Sequence, residues 1–162
     1  MTNGEIEAGG GGRGGDGQIP QPAAALGYAG ALPVVILAVL VWAGSDAVAA
    51  FALPTLIQLT TIILAFMGGV RWGIAMAGPA GPRFGPLIVS ILPALIAWPV
   101  MVIENRVVQM ALLVMAFAGL LVSDLRATRR GEAPAWYPGL RVPLTVLVVG
   151  SLGACLARVL TL

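Results

Sequence analysis

Hydrophobic residues along this chain arrive in long blocks, with neither the strict alternation of a half-buried strand nor the narrow stripe of a soluble helix. Five runs stand out, at 23–43, 47–70, 87–103, 107–123 and 142–162; the first four hold no charged residue and the fifth holds only Arg158. Crossing ~30 Å of hydrocarbon at ~1.5 Å per residue takes ~20 helical residues. The pattern therefore predicts an all-α integral membrane bundle of about five transmembrane helices. The third and fourth runs are short for a span, and either Arg106 and Arg126 snorkel to the headgroups or 87–123 forms a re-entrant hairpin.

Residues 1–18, with GGGGRGGDG, carry too little apolar area to offset the entropy of ordering them, and read as a disordered Gly-rich tail. Glu5, Glu7 and Asp16 stand there against Arg13, which is not the basic leader of a signal peptide, so residues 19–162 form the membrane domain, with the first run as an uncleaved anchor.

Composition agrees with the pattern: 59% of residues are hydrophobic, 10% are charged, and the mean hydropathy is +0.96. All nine basic residues are Arg, spread between the runs, so the net charge of +2 describes topology and not a nucleic-acid surface. Alternating spans put Arg13, Arg71, Arg83, Arg126, Arg129, Arg130 and Arg141 on one side, against Arg106 and Arg158 on the other. The positive-inside rule then makes the N-terminus cytoplasmic and the C-terminus periplasmic. Trp42, Trp72, Trp136 and Tyr137 fall at the ends of the runs, where amphipathic rings favour the interface.

Few polar residues could carry function. Arg71 closes FMGGVRWG, where Gly68 and Gly69 strip bulk beside a cation and Trp72; Asp124, on the same side, is its expected counter-ion. Pro54, Gln58, Thr61, Ala65, Gly68 and Trp72 recur at spacings of three and four, a stripe suited to helix packing with an interhelical hydrogen bond, or to a polar groove. Asp46, Glu104, Arg106 and Arg158 are expected to pair with one another at the far interface. In LRATRRGEAPAWYPGLR, the prolines around Trp136 and Tyr137 oppose a helix, and Arg126, Arg129 and Arg130 favour anionic headgroups, which predicts that the strip as far as Arg141 lies on the membrane surface as an anchor or as a docking surface for a partner.

The absences exclude more. Without His, an imidazole-held haem, a His-containing zinc site and a Ser-His-Asp triad are ruled out. One cysteine, Cys155, allows no Cys cluster, no Lys can form a Schiff base, and the spans hold no carboxylate away from their ends. The expectation is a protein that is not an enzyme, with no cofactor and no bound metal. Its partners would be the bilayer and another membrane protein, with no nucleic acid.

In combination and in this order, FMGGVRWG, SILPALIAW, SDLR and PAWYPGLRVPLT resemble the transmembrane protein 69-like family, domain of unknown function 3429, from about Ile19 to Leu160. That resemblance implies a multi-pass membrane fold and, for a prokaryotic chain, the bacterial inner membrane; it offers no catalytic residue to carry over. One departure is Arg71, where the family is associated with His or another residue. Packing faces and a surface anchor without reactive groups suggest an accessory or assembly subunit of a larger membrane complex, and the mitochondrial link of eukaryotic members suggests that the complex is respiratory. The alternative is a small transporter or a lipid- or quinone-binding protein.

Overall fold

A computed structural model describes residues 17–78 and 81–161. Within them lie five helices: α1 (Gln21–Ala43), α2 (Asp46–Ala77), α3 (Phe84–Val102), α4 (Arg106–Arg129) and α5 (Tyr137–Thr161). All five are long and apolar enough to cross a membrane. The expected disordered tail falls almost wholly outside the described residues.

Local chemistry sets the helix ends. Pro22, Pro86 and Pro138 sit in the first turns of α1, α3 and α5, where the missing N–H is one that a helix leaves unbonded in any case. Asn105 caps α4 through its side chain, which accepts a hydrogen bond from Val108 N at 3.1 Å. Gly131, with φ of 70°, closes α4: Glu132 N bonds Ala127 O at 2.9 Å and Gly131 N bonds Thr128 O at 3.0 Å. That is a Schellman cap, which a residue with a Cβ would strain.

These ends revise three sequence-based expectations. The third and fourth helices are 19 and 24 residues long, so both are longer than their apolar runs and long enough to cross the hydrocarbon. Helix α4 does not stop where its charges begin at Asp124; it continues to the glycine cap, so Asp124 lies inside a helix. The predicted surface strip is in part the first turn of α5, with Tyr137 and Arg141 buried. Pro138 opposes a helix only in its interior, not at its start.

Helix α2 is the hub, touching all four others. Its 32 residues would run ~48 Å against ~30 Å of hydrocarbon, which leaves turns for the headgroup layer. The main core joins Val34 and Ala38 of α1, Leu56 and Leu64 of α2, Val100 of α3, Leu113 and Phe117 of α4, and Leu152 and Cys155 of α5. A smaller cluster of Ala127, Ala133 and Tyr137, with Val70, Ile74 and Trp136 against it, covers one pole.

Contacts show that the helices alternate. At one pole the end of α2 meets the end of α4 and the start of α5; at the other, Trp42 ending α1 donates to Ala154 O of α5 at 3.2 Å and lies 5.5 Å from the Arg158 guanidinium. The distal charges are not mutually paired. Arg106 donates to Gln109 Oε1 at 2.9 Å and Arg158 rests over the Trp42 ring, because each finds a partner nearby that needs no loop to be ordered.

Candidate functional site

The chemistry of the bundle gathers at the pole where α2 and α4 end and α5 begins. Asp124, 1% exposed, is held between two arginines that are themselves buried, Arg71 at 7% and Arg141 at 4%. Arg141 Nε donates to Asp124 Oδ2 at 2.7 Å, a short charge-assisted bond. Arg71 Nη1 lies 3.4 Å from Oδ1 and donates to the Ser123 carbonyl at 3.3 Å. The sequence led us to expect the contact between Arg71 and Asp124; Arg141 at the same carboxylate was unexpected.

One carboxylate between two guanidinium groups leaves one net positive charge. Burying it is costly unless hydrogen bonds satisfy the remaining donors. Arg141 Nη1 points to the Met67 sulfur at 2.7 Å, a weak acceptor. Arg141 Nη2, Tyr137 Oη and Thr145 Oγ1 are buried without a hydrogen-bond partner. Tyr137, Arg141 and Thr145 follow one another at intervals of four on α5, so these three unsatisfied groups share one helix face.

Two adjoining clefts open beside Arg71. One of about 240 Å³ is lined by Arg71, Arg83, Arg130 and Glu132 among others, and a wider one of about 500 Å³ adds Arg126 and Ser123. Arg83 Nη2 bonds Glu132 Oε1 at 2.9 Å across the mouth, tying the segment before α3 to the segment after α4. Arg83 is 54% exposed, so this bridge orders the rim more than it stabilises the fold.

The other candidate residues divide. Gly68 is a true close approach: a Cβ there would meet Ser90 O of α3 at 2.7 Å and Pro93 Cβ at 3.3 Å. At Gly69 a Cβ would meet nothing within 4 Å, so the expected two-glycine notch is a single glycine. Thr61 is buried, but its hydroxyl donates to Ile57 O of its own helix at 2.7 Å and forms no interhelical bond. Gln58 is exposed and Trp72 is 44% exposed, so neither lines a groove. The buried positions of α2, among them Leu56, Thr60, Leu64 and Arg71, centre about a quarter-turn away from the stripe read in the sequence. Trp136 packs edge-on against Tyr137, with centroids 6.0 Å apart, inside the polar cluster's apolar cover.

Gln109 was not singled out in the sequence. It is 3% exposed, and its Nε2 donates to Val100 O at 2.7 Å, satisfying one of the last carbonyls of α3 from the first turn of α4. Its signal was available: an amide in the first turn of a span, facing the preceding helix across the short connection 103–105. Among the described residues no group of three or more His, Cys, Asp or Glu could hold a metal ion.

The geometry suits recognition of an anion by fixed arginines. No solved structure matches the chain. It is 35% identical over 136 residues to "Transmembrane protein 69" of Xenopus tropicalis, covering 82% of this chain and 53% of that protein, so it spans about half the length of the curated relative it matches. Residues 19–157, nearly the whole membrane domain, match the family described as "Protein of unknown function (DUF3429)", and the chain belongs to that family.

Proposed function

We propose that the chain is a non-catalytic multi-pass membrane protein that binds an anionic phosphate headgroup at its arginine-rich pole. One observation carries the reading: Asp124 neutralises one of two buried arginines, and the excess positive charge borders clefts whose lining adds Arg83, Arg126 and Arg130 against Glu132. Guanidinium groups match phosphate oxygens in a fork geometry, and at the end of a span they lie at headgroup depth. Among the described residues this pole holds six arginines, at 71, 83, 126, 129, 130 and 141, and the other pole holds Arg106 and Arg158. The imbalance favours a cytoplasmic pole and a periplasmic C-terminus in a bacterial inner membrane.

The accessory-subunit reading rests on exposed apolar faces, which a bilayer covers equally well. A carboxylate presented by a partner membrane protein is the form in which such a role would use the same clefts. To test the headgroup reading, the protein is purified in mild detergent and its retained lipid compared by mass spectrometry with the bulk membrane. Anionic phospholipid should be enriched, and Arg83→Gln with Arg130→Gln should weaken retention roughly thirtyfold, at ~1 kcal/mol per arginine. Lipid retained in the bulk ratio, or unaltered by the double substitution, refutes it.

A further inference from the structure

A third cleft, of about 140 Å³, shares no residue with the two polar ones and lies among α1, α2, α5 and Phe117 of α4. Its rim is apolar and faces outward: Leu26 is 75% exposed and Phe66 is 66% exposed, so it opens sideways to the bilayer. Gly30 lines it, and a Cβ there would enter open space. The lining also includes Arg141 and Thr145, each only 4% exposed, and these hold two of the unpartnered polar atoms, Arg141 Nη2 and Thr145 Oγ1.

Hydrocarbon tails cannot satisfy those atoms, and a buried donor without a partner destabilises the fold that contains it. The occupant that fits has an apolar body, enters from the lipid side and ends in an acceptor oxygen. Charge narrows the choice, since the cluster of Arg71, Asp124 and Arg141 keeps one positive charge and a neutral head would leave it uncompensated. We propose that this cleft binds a long-chain carboxylate. Its oxyanion accepts hydrogen bonds from Arg141 Nη2 and Thr145 Oγ1, and its chain runs past Gly30 and Phe66 into the bilayer. The surplus charge is the one that the headgroup reading uses, so an anion here and an anion in the polar clefts would compete for it.

The test uses the full chain in nanodiscs of zwitterionic phospholipid, titrated with a radiolabelled long-chain fatty acid, its methyl ester and a long-tailed quinone. Saturable one-site binding of the acid is expected, with the ester at least about tenfold weaker because it carries no negative charge to pair with the guanidinium. Gly30→Leu should weaken the acid about tenfold or more by filling the cleft, at a site where an added Cβ meets no neighbour. Thr145→Val should weaken it severalfold. A fatty acid carrying a photoreactive diazirine near its carboxyl should crosslink to peptides holding Gly30 or Thr145. Equal binding of acid and ester, preference for the quinone, a Gly30→Leu protein that binds normally, or crosslinks confined to other helices would each overturn the proposal.

Discussion

Asp124→Asn should be the most damaging single polar substitution in this protein, and its cost can be set against that of Arg71→Gln. An amide in place of the carboxylate would keep the shape and remove the charge, leaving Arg71 and Arg141, 7% and 4% exposed, to face each other without compensation. Stripping one partner from a buried charge pair costs about 3–5 kcal/mol. Arg71→Gln leaves the 2.7 Å bond from Arg141 to Asp124 intact and removes the longer 3.4 Å contact together with the excess positive charge. At 3.4 Å a hydrogen bond is weak, so the loss is near the ~1 kcal/mol of an ordinary bond. The protein carries its own reporter. Cys155 is its single cysteine and is fully buried, so a fluorogenic maleimide reads unfolding during a thermal ramp. With ~2–4 °C per kcal/mol for a chain of this size, Asp124→Asn should lower the midpoint by roughly 6–20 °C, and Arg71→Gln by roughly 2–4 °C. Equal shifts, or a larger one for Arg71→Gln, would show that Asp124 is not the keystone of the cluster.

Neighbouring glycines give a paired test: Gly68→Ala should cost about 1–3 kcal/mol by pushing α3 off α2, while Gly69→Ala, meeting open space, should be neutral or stabilise by up to about 1 kcal/mol in the same thermal assay. Gln109→Leu leaves the buried Val100 carbonyl unpaired and should cost about 1–3 kcal/mol, whereas Asn105→Ala, at the exposed cap beside it, should cost ~1 kcal/mol. In a Cys155→Ala background, a cysteine replacing Arg130 should resist an impermeant thiol reagent in intact cells, and one replacing Glu104 should react; the reverse pattern would invert the proposed orientation.

How much of this was legible in the sequence depended on whether a residue's environment was set locally. The five spans follow from long apolar runs broken by a single charge, Arg158, a pattern that no packing detail can reverse. Arg71 and Asp124 were readable as a pair because a chain this poor in charge offers few partners on one side of a membrane. Arg141 was readable as important and misread in role, since the prolines near it look the same at a helix start as in a surface strip. The stripe through Gln58 failed for a different reason. Small and polar residues mark a face, but which face of α2 turns inward is settled by the neighbours on all sides, and periodicity alone does not contain them. Unsatisfied atoms such as Thr145 Oγ1 are invisible in a sequence, because satisfaction is a property of the surroundings.

The shared carboxylate also has a direction in time. Arg71 precedes Asp124 by 53 positions, and Arg141 follows it by 17, so the three charges enter the membrane in the order cation, anion, cation. Until α4 is inserted, Arg71 has no counter-charge; once it is, the pair is neutral; only the arrival of α5 restores the surplus and delivers the shorter bond. A nascent chain that stalls before its last helix therefore holds a neutral pair at this pole, where the finished protein holds one surplus positive charge.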